Sequence, residues 1–357
     1  MIDLISAPEL IAPQWLTEVL RANGSLPAGS VSGVEWEMIG TGKMGDNVRL
    51  VLTYDGEYNA PETLVAKLPA TDETARMMAG GMGAYRKEVM FYRELADKTS
   101  MNTPDIYLAL VDEGGSNFII LMKDLVPAEP GNQLVGESIV HAKQALAEAA
   151  KLHAAFHGKS DLLASDHISH TDADGAAFGQ DLLQQNWPGF LQRFGHGLNE
   201  QCIAFGDDYV ANHARWMAHY TGTKTLIHGD FRSENILFCE NERATTVDWQ
   251  TLTESCGLAD AAYFIGGSLD IDVRRTHEKE LVEYYRQCLE VEGVTLGSDE
   301  CWQQYREFSI NGLLITVLGA MFSEPAPRSD QMFLVMIQRH LQHCVDMNAR
   351  EFLSLDD

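Results

Sequence analysis

The strongest constraint on the fold is a change of hydrophobic period near residue 125. Before it, apolar residues alternate in short runs, as on half-buried strands. After it, they recur at the spacing of a buried helical face. In the first part, Val31 to Ile39, Val48 to Tyr54 and Thr63 to Leu68 read as strands, with Val48, Leu50 and Leu52 sharing one face. Ile106 to Val111 and Phe118 to Met122 read as two more. A helix is expected over Tyr85 to Lys98, where Val89, Tyr92 and Leu95 line up. Another opens at Pro13, carries Leu16, Val19 and Leu20, and stops at Gly24. Beyond Pro127, Pro130 and Gly131, helices are expected over Ser138 to Phe156, Gln180 to Phe194, Asp208 to His219, Leu258 to Leu269 and His277 to Val291. Several more fall between Cys301 and Glu351. Two short strands, Ile236 to Cys239 and Thr245 to Val247, interrupt them. The reading is an α+β chain of two lobes: residues 1–123, an antiparallel sheet with one main helix, and residues 124–357, largely helical.

A chain of 357 residues is long enough for two such lobes. With 45 % apolar and 22 % charged residues, disorder, collagen and coiled coil are excluded. Lys and Arg total 26 against 52 Asp and Glu, a net charge of −26 that repels nucleic-acid backbones and anionic lipid alike. The six cysteines all lie in the second half and form no CxxC pair, which points to reduced thiols and a cytoplasmic setting. The N-terminal MIDLISAPEL has no basic region, so it does not read as a signal peptide. The longest apolar run, Gly312 to Phe322, is too short for a bilayer. The partner expected is therefore a small molecule, with neither nucleic acid nor membrane involved.

The chemistry concentrates in LIHGDFRSENILF at Leu226–Phe238 and TTVDWQ at Thr245–Gln250. Phosphoryl transfer needs a carboxylate to orient the attacking hydroxyl and oxygen ligands to hold Mg²⁺ against the phosphates. Asp230 offers the first, and Asn235, five residues on, an amide oxygen that a folded-back loop aims at the same point. Asp248 follows the β-branched pair Thr246 and Val247, so a strand would deliver it as a second metal ligand. Upstream, Gly40, Gly42 and Gly45 fall between two strands, where backbone amides cradle phosphates. Asp46 would repel phosphate there unless it points away. Lys67, in LVAKLP, is flanked by apolar residues and needs an anionic partner if buried.

HGDFRSEN, VDWQ, GLADAAYFIGGSL and RRTHEKELVEYY together resemble the small-molecule kinases of the aminoglycoside phosphotransferase and choline kinase group. Within it, Ile227 to Leu269 looks most like the ecdysteroid-kinase-like phosphotransferases. The resemblance implies a bilobal protein-kinase-like fold and transfer of the γ-phosphoryl of ATP to a hydroxyl. It makes Asp230 the catalytic base, Asn235 and Asp248 the Mg²⁺ ligands, and Asp260 a brace for the catalytic loop that also holds His228. It pairs Lys67 with Glu88, Glu94 being the rival, so that the lysine reaches the α- and β-phosphates. It places the backbone of Leu121, Met122 and Lys123 beneath adenine. A steroid-like alcohol, an amino alcohol, an antibiotic or a hydroxyacyl compound would be the acceptor.

Other readings compete. A pseudokinase would bind nucleotide or ligand without turnover, although none of the expected polar positions is replaced. A protein kinase is disfavoured by HGD, by DW and by the lack of a segment ending in APE. His153 and His157 stand four apart as zinc ligands often do, yet HAAFH lacks the zincin glutamate. His340 and His343 read as solvated positions of a terminal helix. Trp187, Trp249, Tyr263 and Phe264 line either an acceptor pocket or the core. Ser233 and Ser255 have no nucleophile elbow.

Overall fold

The computed structural model describes residues 2–40, 44–165, 168–170, 172–240 and 243–353. The chain folds as two compact units. The first holds residues 1–98, 102–128 and 247–251, and the second residues 99–101, 129–246 and 252–357. The segment from Val247 to Thr251 packs with the first unit.

In the first unit, β1 (Ser30–Ile39), β2 (Gly45–Asp55), β3 (Thr63–Pro69), β4 (Ile106–Val111) and β5 (Phe118–Lys123) form one antiparallel sheet in the order β1-β2-β3-β5-β4. Successive side chains of a strand point to opposite faces, and the sequence uses both. Leu64, Ala66, Leu68, Ile119 and Leu121 bury one face against Trp15, Leu16, Val19 and Leu20 of α1 (Pro13–Asn23). Gly24, left-handed at φ 86°, stops that helix. Phe118, Ile120 and Met122 face the other way, onto Tyr85 and Val89. Those two belong to α3 (Ala84–Met90), which continues through a π turn to Leu95 and a 3-10 turn to Lys98. Burying a side chain such as Leu16 or Val89 is worth about 1.5–3 kcal/mol each. The short helix before it, α2 (Glu73–Gly81), was not expected from the sequence. Its Asp72 cap accepts from the Ala75 amide at 2.7 Å.

The second unit is mostly helical: α4 (Ile139–Phe156), α5 (Ser160–Leu163), α6 (Ala173–Phe194), α7 (Glu200–His219), α8 (Leu258–Ser268), α9 (Ile271–Val291), α10 (Ser298–Phe308), α11 (Gly312–Met321) and α12 (Pro327–Asp346). Ser138, expected as the first residue of α4, is its N-cap and accepts from the His141 amide at 3.1 Å. Asn199 caps α7 in the same way, well ahead of the expected start at Asp208. Among these helices run β6 (Glu129–Pro130), β8 (Ile236–Phe238) and β9 (Thr245–Thr246), paired in that order around β8. A second ribbon pairs β7 (Thr225–Ile227) with β10 (Thr253–Ser255). Because β7 ends at Ile227 and β8 starts at Ile236, the HGD segment is a loop anchored by pairing on both sides. No helix among the described residues is long and apolar enough to cross a membrane.

Candidate active site

In the first unit, period two places Lys67 on the α3 face of the sheet, opposite to Ala66 and Leu68. Its ammonium lies 2.9 Å from Glu88 Oε1, 2.8 Å from Glu88 Oε2 and 2.8 Å from Asp248 Oδ1. Glu88 therefore takes the lysine, and Glu94, six residues further on, is exposed. Burial pulls the Lys67 pKa down, but the carboxylates of Asp248 and Glu88 outweigh it, and the group stays above the ordinary lysine value. Burial pushes Glu88 up, and Lys67 only partly opposes this. Asp248 remains 39 % exposed while Lys67 and Glu88 are enclosed. Asp248 sits at φ 68°, a left-handed conformation that a non-glycine residue adopts at some cost. The next residue, Trp249, is wholly buried and stacks on Phe91 with centroids 3.6 Å apart, which fixes the chain just past the aspartate.

In the second unit, Asp230 is held from three directions. Its Oδ2 accepts from Asn235 Nδ2 at 2.9 Å and from Arg232 Nε at 3.2 Å. Its Oδ1 accepts from the Tyr263 hydroxyl at 2.8 Å. Asn235 Nδ2 also donates to the Asp230 carbonyl at 2.9 Å, so the amide nitrogen is committed and the amide oxygen is the atom left for a hard cation. Arg232 bridges on to Glu234 at 2.5 Å. Burial lowers the arginine's pKa, but Asp230 and Glu234 raise it by more, so it stays charged.

The loop is braced by Asp260, wholly buried on α8. Its Oδ2 accepts the His228 amide at 2.7 Å and its Oδ1 the Gly229 amide at 3.0 Å. Both amides face one carboxylate because Gly229 takes φ 86°, a region glycine enters freely. The His228 ring accepts from the Asp230 amide at 3.2 Å. His153 lies 3.2 Å from Asp260 Oδ2 through Nε2 and 2.7 Å from the Tyr285 hydroxyl through Nδ1. A carboxylate only accepts, so Nε2 donates to Asp260, while Nδ1 is paired with the Tyr285 hydroxyl. Both nitrogens are thus engaged, which leaves His153 none for zinc. Among the described residues, no cluster of three His, Cys, Asp or Glu side chains is arranged to hold a metal.

One expectation needs revision, the solvent exposure of His340 and His343. Leu121 and Met122 lie inside a central strand, with register partners on both β3 and β4, and the Lys123 amide donates to Asp105 O at 2.9 Å. Those peptide groups serve the sheet. His340 and His343 are buried rather than solvated, at 1 % and 0 % exposure, and among the described residues no ring nitrogen of either has a hydrogen-bond partner. Burial drives their pKa values down, to about 3 for His340 and further below the usual range for His343. Trp187, Trp249, Tyr263 and Phe264, read as lining either an acceptor pocket or the core, are all core residues. Of the glycine loop, Gly40 turns at φ 73° after β1 and Gly45 opens β2, while Gly42 lies outside the described residues. Asp46 is turned to the amide and hydroxyl of Thr71, at 2.8 and 2.7 Å. The sequence drew no attention to Arg232, or to Tyr263 as a partner of Asp230. The arginine's place two residues after the aspartate was the only available signal.

The fold recurs in solved structures. An ethanolamine kinase from Plasmodium vivax shares 13 % identity over 89 % of this chain and 83 % of its own, with a TM-score of 0.56. A choline kinase from Cryptosporidium parvum shares 10 % over 95 % of this chain and 97 % of its own, at 0.55. A spectinomycin phosphotransferase solved with ADP and spectinomycin shares 10 % over 95 % and 99 %, at 0.54. At such identities the likeness concerns the fold, which is that of the protein-kinase-like small-molecule kinases. Comparison with curated protein sequences returned no match. The model of the ecdysteroid kinase-like family matches residues 44–296, a span that includes Lys67, the HGD loop, Asp248 and α8. The chain belongs to the ecdysteroid kinase-like family.

Proposed function

We propose that the protein is an ATP- and Mg²⁺-dependent phosphotransferase acting on a hydroxyl of a small molecule. The observation that carries this reading is the Asp230 carboxylate, fixed by Asn235, Arg232 and Tyr263 on a loop whose backbone is clamped by Asp260. In the reaction, the acceptor oxygen forms a bond to the γ-phosphorus as the bond from that phosphorus to the β,γ-bridging oxygen breaks. ADP leaves, and the hydroxyl proton passes to Asp230 and on to solvent. Catalysis of this kind rests on positioning and charge neutralisation. Lys67, held by Glu88, meets the α- and β-phosphates, and backbone amides at Gly40 and Gly45 face them. Adenine is served by backbone from Asp124 onward. Asn235, through its uncommitted amide oxygen, and Asp248 are the ligands of the magnesium ion, which neutralises phosphate charge when bound.

The related folds point to acceptor classes: the solved structures include kinases of ethanolamine, choline and aminopropanol and a phosphotransferase of spectinomycin. The family description adds ecdysteroids. Those five alcohols form the test panel, with Mg·ATP as donor and ADP release and product mass as readouts. One or more of them is expected to gain a phosphoryl group in wild-type protein. Asp230→Asn should lose at least a thousandfold in turnover while binding ATP as before. An Asp230→Asn protein as active as wild type would remove the assigned role. Wild-type protein that binds ATP and consumes none, with any alcohol or with water, would instead be a pseudokinase.

A further inference from the structure

The hydrogen bonds to Asp230 are unevenly divided. Oδ2 accepts two, from Asn235 and Arg232, which fills its two lone pairs. Oδ1 accepts one among the described residues, from Tyr263, and keeps a lone pair. An acceptor hydroxyl can therefore be received only at Oδ1, and the direction of the remaining lone pair is set by where the tyrosine hydroxyl sits. Tyr263 itself has little freedom. It is 1 % exposed on α8, and its ring stacks on His340 of α12 with centroids 5.0 Å apart and planes 11° from parallel. The imidazole in turn fills a slot opened by two glycines. A Cβ on Gly267 would come within 2.5 Å of His340 Nε2, and one on Gly312 would also overlap the ring. A buried imidazole without hydrogen bonds is a costly filler for a slot. Here it backs the one phenol that touches the reactive carboxylate. Burial, reinforced by the negative charge of Asp230, keeps that phenol protonated, so it can only donate toward the carboxylate.

We propose that Tyr263 is a positioning residue for phosphoryl transfer: its hydroxyl, clamped by the stack on His340, holds Asp230 so that Oδ1 presents its open lone pair to the acceptor hydroxyl. The proposal rests on the phosphotransferase reading above. It departs from a packing role in one respect, because the ring fills the core while a single oxygen does the positioning.

The test is Tyr263→Phe, which keeps the ring, compared with wild type, Asp230→Asn and the double variant. Assays use Mg·ATP with the alcohol panel and, as baseline, Mg·ATP hydrolysis by water. Calorimetric titration with ATP reports the integrity of the nucleotide site. Loss of a hydrogen bond to a charged group corresponds to a fall in kcat of about 10- to 100-fold. KM for ATP and ATP affinity are expected to stay within about twofold. In the Asp230→Asn background, Tyr263→Phe should cost less than about threefold more, since both changes disable one unit. A Tyr263→Phe kcat within threefold of wild type overturns the proposal. So does a loss that simply multiplies with that of Asp230→Asn, or one that comes with lost ATP affinity, either of which marks a structural role. Wild-type protein that transfers no phosphoryl group to any acceptor overturns the underlying reading, and the inference with it.

Discussion

Asp260 is the residue whose replacement the structure prices most fully. It is wholly buried and accepts the His228 and Gly229 amides and the His153 Nε2 proton. In Asp260→Asn, the amide oxygen can stay at the Oδ2 position and keep His228 and His153. The new NH₂ group then faces the Gly229 N–H, donor against donor. One buried amide loses its acceptor, at about 1–3 kcal/mol, and the remaining bonds lose the assistance of a charge, about 1 kcal/mol more. The expected loss of unfolding free energy is thus about 2–4 kcal/mol, a large share of the 5–15 kcal/mol typical of a folded domain. Urea titration followed by circular dichroism reads it as a lower midpoint at unchanged slope. Turnover should fall further than stability implies, because the displaced amides carry the backbone of Asp230. A midpoint shift worth less than about 0.5 kcal/mol would mean that the clamp on the loop does not have the strength its geometry indicates.

Three further outcomes follow from the same geometry. His340 has a folded pKa of about 3 against roughly 6.5 unfolded, so the unfolded chain binds its proton first as pH falls. Its contribution is present above pH 6.5 and lost downward toward pH 3, about 2 kcal/mol by pH 5, and His343 adds loss in the same direction. Stability measured against pH should slope accordingly, and a His340→Leu protein whose profile is as steep as wild type would contradict it. Lys67→Met leaves Glu88 buried without its cation and should cost about 3–5 kcal/mol together with ATP affinity, read by urea unfolding and calorimetry. Glu94→Gln, at an exposed position, should change neither by more than about 0.5 kcal/mol, and an equal effect of Glu94→Gln and Glu88→Gln would refute the pairing.

The elements legible in the sequence were those whose burial follows a simple period. In β2, Val48, Leu50 and Leu52 alternate cleanly with more exposed neighbours, and the two faces of the sheet both bury apolar cores. The α2 helix was illegible because Met77, Met78 and Met82 are exposed and only Ala79 of the helix is buried, so no apolar stripe marks it. The early turns of α6 were hidden by Gly175 and Gly179, weak helix formers on which propensity misleads. The ribbon of Thr225–Ile227 with Thr253–Ser255 is three residues wide and joins distant segments, beyond any local pattern. The meeting of Asp230 and Asn235 was legible from spacing, since one short loop carries both. The burial of His340 was not, because its space comes from glycines on α8 and α11, far away in the chain. For the same reason Tyr263 could be seen as an aromatic residue but not as the donor to Asp230.

The central claim is that Asp230 directs a hydroxyl onto the γ-phosphoryl of ATP. Phosphorus NMR of Mg·ATP incubated with the alcohol panel and stoichiometric protein follows donor and product in one spectrum. A new phosphomonoester resonance growing in step with ADP is expected, absent with Asp230→Asn. Bound ATP whose γ resonance persists unchanged with every alcohol, in wild-type protein, would contradict it.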